Sequence, residues 1–163
     1  IDYSLTTPWL KTFRRIPSPM HYIWEDFEMD GRHRAGFYNL TVNQRPYSDV
    51  NQRTRYEFTI KDNVIHLSVD DVSYTCTQKD PNWGIELKFA RNYQPSQSGS
   101  VTIFLNSAMA NLNKKVTIFL NGKKVYDNKP RPTIGAMLKS LATFGDPLRI
   151  YPVAIDLQIS PSN

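Results

Sequence analysis

The same five-residue sequence, Val-Thr-Ile-Phe-Leu, occurs twice in this chain, at 101–105 and again at 116–120. Branched and aromatic side chains suit a pleated sheet, so each copy predicts a β-strand. Asn121-Gly122 follows the second copy and is typical of a two-residue hairpin turn, because both central residues of that turn need a positive φ. With only two copies, the pattern indicates a pair of similar strands and not a repeat architecture.

The first half of the chain carries a second hairpin signal. Residues 55–60 and 64–69 alternate apolar and polar side chains on either side of the turn residues 61–63, and period-two alternation is typical of half-buried strands. Asp70-Asp71 predicts a turn directly after this hairpin. Further strands are predicted at 20–27, 36–42, 72–77, 86–90, 123–126 and 150–159.

One helix is expected, at 133–144. Thr133 is a suitable N-cap, and Gly145 and Pro147 are suitable residues to end the helix. The apolar side chains follow helical spacing and predict a stripe that packs on the sheet. That stripe comprises Ile134, Met137, Leu138 and Leu141.

These elements predict a mainly β fold, an antiparallel β-sandwich of immunoglobulin-like or jelly-roll-like type with one α-helix in the C-terminal half. The length of 163 residues suits one such domain. Prolines at 17 and 19 indicate that residues 1–19 form a linker or docking segment, in which Trp9 and Phe13 are candidate contact residues. Residues 20–160 form the sandwich, and residues 161–163 are a tail.

The motifs of common enzyme classes are missing from the sequence. It has no Gly-x-Ser-x-Gly elbow, phosphate loop or dinucleotide fingerprint, and its one cysteine, Cys76, excludes an intrachain disulfide. The three histidines have no metal-ligand spacing. Acidic residues cluster at 25–30 and 70–71. Because aspartate is common in turns and at strand ends, a role in turns is favoured over a pair of glycosidase carboxylates or a calcium site. We therefore predict no catalytic residue, no metal ligand and no cofactor in this chain.

Three aromatic residues in turns or polar loops are candidate ligand-binding residues: Tyr47, Trp83 and Tyr93. Aromatic faces on loops stack on sugar rings or bases, although rings of this kind also pack down and fix loops to a sandwich. Residues 82–163 hold 10 Lys and Arg against 4 Asp and Glu. Such a bias can mark a nucleic-acid surface, but solvated lysines on strand faces are the favoured interpretation, so nucleic acid is not an expected partner. No apolar run is long enough for a membrane span.

The second half of the chain closely resembles the C-terminal β-sandwich of secreted bacterial α/β-hydrolases of the prolyl-oligopeptidase or esterase type. The resemblance covers residues 17–26 and about 100–158. In that module a strand ends in Leu-Asn, an Asp-Leu-Asp-Lys-Pro-Val connector follows, a second strand ends in Asn-Gly-Lys, and a helix ends in Gly-Asp-Pro. The matching residues are 101–106, 111–116, 121–126, Leu138, Leu141, 145–147, and, where the module begins, Pro19, His21, Ile23 and Trp24. Here Asn111 and Asn113 replace the usual acids and Lys115 the usual proline, which argues against a metal-binding connector.

The resemblance implies a non-catalytic accessory domain located outside the cytoplasm. Its partner would be an upstream hydrolase domain of the same polypeptide, which would hold the catalytic triad. The helix, with Lys139 on its outward face, or the segment 1–19 would make the contact. Two other functions stay open at this point. One is a carbohydrate-binding module that presents Trp83, Tyr93 or Tyr47 to a polysaccharide, and the other is a stand-alone secreted interaction protein.

Overall fold

A computed structural model describes residues 8, 12, 16–28, 32–46, 53–80, 84–92 and 97–161, with side chains in these ranges apart from 71 and 73–92. The strands of this part of the chain are β1 (His21–Asp26), β2 (Gly36–Phe37), β3 (Leu40–Gln44), β4 (Arg53–Lys61), β5 (Val64–Asp80), β6 (Gly84–Asn92), β7 (Gly99–Leu105), β8 (Val116–Leu120), β9 (Lys123–Asn128) and β10 (Val153–Ile159). Helix α1 spans Ile134–Phe144, and a 3₁₀ turn follows at Pro147–Arg149.

The strands form two sheets, which confirms the predicted mainly β sandwich. The first sheet has the order β1-β4-β5-β8-β9, with β6 paired to β5, and the second has the order β10-β7-β3-β2. Among the described residues every pairing is antiparallel except that of β5 with β8, which is parallel. The hydrophobic core lies between the two sheets.

Alternate residues of the long strands supply that core, as the period-two pattern predicts. Both copies of Val-Thr-Ile-Phe-Leu are strands, and their first, third and fifth residues are buried. The same alternation buries residues of β4, β5 and β10. These residues are Tyr56, Phe58, Ile60, Ile65, Leu67, Val69, Val153, Ile155, Leu157 and Ile159.

The predicted turn at Asp70-Asp71 is wrong, because β5 continues through it without a break to Asp80. Strand β4 reaches back to Arg53, and its pairing with β5 runs in register through both aspartates. The Asp70 side chain is 1% exposed. A continuous ladder of backbone hydrogen bonds here outweighs the local turn preference of aspartate. From Asp71 onward β5 also pairs with β6.

The predicted single strand over 36–42 is divided by a tight turn at Tyr38 and Asn39, where Tyr38 has a φ of 49°. The buried Asn39 side chain accepts a hydrogen bond from the Tyr22 hydroxyl (2.9 Å) and donates one to the Phe104 carbonyl (2.9 Å). Burial raises the pKa of the Tyr22 phenol well above its usual value of 10.0. Because Tyr22 belongs to β1 and Phe104 to β7, Asn39 connects the two sheets.

The two-residue turn between β8 and β9 is confirmed, with φ values of 47° at Asn121 and 79° at Gly122. The Asn121 side chain accepts from the backbone N–H of Val69 (2.7 Å) and donates to its carbonyl (3.2 Å). This side chain therefore continues the pairing of β8 with β5 beyond the end of β8.

Gly122→Val is expected to lower the free energy of unfolding by about 1–3 kcal/mol, because a β-branched residue is strained at positive φ. A Cβ at this position meets no atom within 4 Å, so the loss would come from the backbone alone. Chemical denaturation measures the change. Gly122→Asn is the matched control, since asparagine tolerates this conformation, and an equal loss in both variants would contradict the assignment.

Candidate functional site

Helix α1 begins and ends where the sequence predicts. The Thr133 hydroxyl accepts from the Ala136 N–H (3.0 Å), and the N–H of Gly145, at φ 60°, donates to the Leu141 carbonyl (2.8 Å). These are the standard N-cap and left-handed C-cap. The Thr133 N–H also donates to the Pro152 carbonyl (2.7 Å), which fixes the start of the helix beside the start of β10.

The helix packs on the second sheet with a different face from the one predicted. Ala136 and Ser140 are its buried residues, and Phe144 is half-buried. The Ser140 hydroxyl donates to the Met137 carbonyl (2.8 Å) and accepts from the Tyr151 N–H (3.0 Å). Small side chains at this contact let the helix backbone approach the sheet closely, and the serine hydroxyl satisfies the buried N–H of Tyr151.

The apolar stripe of α1 therefore points away from the sheet, and the prediction that it is buried is wrong. Ile134 is 75% exposed, Leu138 is 61% exposed, and Met137 and Leu141 are each 40% exposed. Leu148, in the 3₁₀ turn after the helix, is 72% exposed. We refer to these five side chains as the apolar face of α1. Exposed apolar groups on neighbouring turns are typical of docking surfaces.

Lys139 lies toward the sheet and not on the apolar face. Its ammonium is 3.6 Å from Asp156 Oδ1 and 3.4 Å from Thr102 Oγ1, and it sits 5.9 Å from the centre of the Phe104 ring. About half of the side chain is exposed. Its contacts join the helix to β7 and β10, and a docking role for Lys139 stays a prediction.

The N-terminal approach, residues 16–19, reaches the sandwich next to the helix. The Tyr151 hydroxyl donates to the Pro17 carbonyl (3.3 Å), and Asn106 Nδ2 donates to the Ser18 hydroxyl (3.1 Å). The same Tyr151 donates its backbone N–H to Ser140 of α1. One residue thus contacts both the arriving chain and the inner side of the helix, so the approach and α1 are neighbours.

The other candidate residues from the sequence lie outside the described residues. They are Trp9, Phe13, Tyr47, Trp83 and Tyr93. The structure therefore leaves the docking role of the segment 1–19 and the sugar-binding role of the loop aromatics as predictions.

A groove of about 1120 Å³ runs beside β10, between this edge strand of the second sheet and β9, an edge strand of the first. We call it the edge groove. It is lined by Leu112, Asn113, Tyr126, Asn128, Lys129, Pro130, Arg131, Pro132, Val153, Ala154, Ile155 and Asp156. Burial raises the pKa of Tyr126 above its usual value. Sequence reasoning missed the groove, because its walls come from segments that no single motif connects.

Two acidic residues of the first run, Glu25 and Asp26, have basic partners. Asp26 is buried and accepts from Arg45 Nε (2.9 Å), with His33 Nδ1 at 3.3 Å, and Glu25 lies 3.9 Å from Arg53. Within the described ranges, no group of three or more His, Cys, Asp or Glu side chains is arranged to hold a metal ion. No helix in the same part of the chain is long and apolar enough to cross a membrane.

Asn111 and Asn113, where the resembled module has acids, lie in a turn that the side chains of Asn63 and Asn111 hold. Asn63 Nδ2 donates to the carbonyls of Asn111 (2.9 Å) and Lys115 (3.0 Å), and Asn63 Oδ1 accepts from the Asn111 N–H (2.8 Å). Asn111 Oδ1 in turn accepts from the Asn113 N–H (3.0 Å). The connector is therefore held by amide hydrogen bonds at these positions.

Comparisons with protein-family models, with curated proteins and with solved structures each find no match to this chain. The resemblance to a hydrolase accessory domain accordingly stays a prediction.

Proposed function

We propose that this chain is a non-catalytic accessory β-sandwich domain of a secreted α/β-hydrolase, and that it packs on the catalytic domain through the apolar face of α1. The observation that carries the proposal is that face itself. Four large apolar side chains of one helix, together with Leu148, are 40–75% exposed. The proposal also uses the sequence resemblance, which implies that the domain is located outside the cytoplasm.

The energetics favour a partner over this face. Moving a large aliphatic side chain from full exposure to full burial contributes about 1.5–3 kcal/mol. The side chains of the apolar face are already partly covered, so a partner would recover on the order of 1 kcal/mol for each of them. An inter-domain contact that includes this face needs about 600–1,500 Å² in total, which one helix and its flanking turn can anchor.

The position of the N-terminal approach supports a partner on the N-terminal side. Pro17 is held by Tyr151, which also contacts Ser140 on the inner side of α1. A domain upstream of residue 1 would therefore be joined, through residues 1–15, to a point of the sandwich close to the helix. Tethering raises the effective concentration of the partner to about the millimolar range, so a modest apolar contact suffices.

The non-catalytic part of the proposal is supported by the sequence, which lacks a nucleophile elbow. Under this proposal the serine, acid and histidine of the hydrolase all belong to the upstream domain. The sandwich would act by shaping or covering one side of the active-site entrance.

The test begins with the reading frame that contains this chain, which should encode an α/β-hydrolase domain upstream. The two domains are then produced as separate polypeptides, and their association is measured by isothermal titration calorimetry. Leu138→Glu and Leu148→Glu should each weaken association by about 30-fold or more, because a carboxylate would be buried in an apolar contact.

Ser98→Glu is the matched control, since it adds the same charge at another exposed position. Association of this variant should stay within about twofold of the unsubstituted chain. Thermal unfolding of all three variants checks that each is folded. Undiminished association of Leu138→Glu and Leu148→Glu, or a frame without a hydrolase domain, would overturn the proposal.

A further inference from the structure

The two strands that flank the edge groove are edge strands, β9 of the first sheet and β10 of the second. Strand β10 pairs with β7 on one side. Just before the strand, the Pro152 carbonyl accepts a hydrogen bond from the Thr133 N–H. Beyond that bond, the backbone of Val153–Ile159 has no backbone partner other than β7 among the described residues. Unpaired N–H and C=O groups of this kind are a template for another strand.

The groove is cationic. Lys129 and Arg131 are exposed in its lining, and within the described ranges neither has an ion-pair partner. Asp156, the acidic residue of the lining, is held by Thr102 Oγ1 (2.5 Å) and by Lys139 (3.6 Å). Residues 113–139 contain seven Lys and Arg and one acidic residue, Asp127, which lies 3.7 Å from Lys124. The uncompensated charge therefore favours an acidic ligand.

The groove also offers apolar surface for alternate side chains. Leu112, Pro130, Pro132 and Ala154 contribute to its lining, beside the half-buried Tyr126 ring. Strand β10 has seven residues, which is roughly 23 Å of edge at the usual strand rise. An added strand of about that length would cover the open side of the sandwich between β9 and β10.

We propose that the edge groove binds an acidic polypeptide segment in extended conformation, which adds a strand to the free edge of β10. Backbone hydrogen bonds along the edge would give affinity, and Lys129 and Arg131 would select acidic side chains. The free backbone edge favours a polypeptide over an acidic polysaccharide. This surface is separate from the apolar face of α1, so the inference does not depend on the proposed function.

The test uses a fluorescein-labelled eight-residue peptide of alternating Glu and Val, with binding followed by fluorescence anisotropy. The Glu-Val peptide should bind, whereas the Lys-Val analogue should not. A Glu-Pro analogue should bind far more weakly, because proline removes half of the backbone donors and disfavours a strand. The backbone amide protons of Val153–Ile159 should exchange more slowly with solvent when the Glu-Val peptide is present.

The double variant Lys129→Glu/Arg131→Glu should weaken binding of the Glu-Val peptide by about tenfold or more. The matched control is Lys61→Glu/Lys123→Glu, which changes the net charge equally at two exposed residues outside the groove lining, and its effect should stay under about threefold. Thermal unfolding of both variants confirms that they are folded.

Three results would overturn the inference. The first is no binding of the Glu-Val peptide, and the second is equal binding of the Glu-Pro peptide, which would show attraction by charge alone. The third is that hexagalacturonate binds more tightly than the Glu-Val peptide and that the Lys129→Glu/Arg131→Glu variant no longer binds hexagalacturonate. That result would assign the groove to an acidic polysaccharide.

Discussion

Phe104→Ala is expected to lower the free energy of unfolding by about 3–5 kcal/mol. Phe104 is fully buried, although its neighbours in β7 on both sides face the core between the sheets. Its ring packs edge-on against Phe144 of α1, at 5.5 Å between centres, and lies tilted against the Tyr151 ring at 6.0 Å. Removal of the ring would leave a cavity beneath the helix, so α1 would lose its main aromatic contact with the sheet.

The comparison that tests this expectation is Leu138→Ala, on the outward side of the same helix. Leu138 is 61% exposed, so its truncation should cost under about 0.5 kcal/mol. Denaturation in urea, with midpoint and slope fitted for each variant, measures both changes. A larger loss at Leu138 than at Phe104 would mean that the helix packs with its apolar stripe inward after all.

Asn39→Leu is the second large effect, with an expected loss of about 2–5 kcal/mol. Leucine has a similar size, but it leaves the Tyr22 hydroxyl and the Phe104 carbonyl without the hydrogen bonds that Asn39 supplies. Each buried polar group left without a partner costs about 1–3 kcal/mol. Because Asn39 connects the two sheets, we expect the loss to appear in a single unfolding transition.

A double-mutant cycle with Tyr22→Phe separates the hydrogen bond from the change in shape. In the Asn39→Leu/Tyr22→Phe variant no phenol is left to satisfy, so the combined loss should be smaller than the sum of the two single losses by about 1 kcal/mol or more. Strictly additive losses would show that the hydrogen bond between Tyr22 and Asn39 contributes nothing to stability.

The strands are predictable from the sequence because alternation is a local property. Apart from the joined strand at 70–71 and the divided strand at 36–42, the predicted strands are confirmed, with ends within three residues of the observed ones. The boundaries of α1 are predictable for the same reason, since Thr133 and Gly145 act on their own helix. The fold class follows from these elements together.

The buried face of α1 was not predictable by the same reasoning. An apolar stripe identifies the side of a helix that avoids water, but it does not say whether the same domain or another molecule covers that side. Here Ala136 and Ser140 meet the sheet, and the larger side chains stay outside. What covers the exposed face depends on the surfaces of other segments or molecules, and the local sequence of the helix carries no information about them.

The order of the strands has a consequence for how the chain folds. The polypeptide places β1 in the first sheet, β2 and β3 in the second, β4 to β6 in the first, β7 in the second, β8 and β9 in the first, and β10 in the second. Neither sheet is a continuous stretch of sequence, and the parallel pair of β5 with β8 closes only after β7 has been passed. Contacts between residues far apart in sequence dominate such a topology, and folds of this kind form in about milliseconds to seconds. The first sheet has all its strands only after β9 and the second only after β10, so the ribosome must release nearly all of the domain before its core can close.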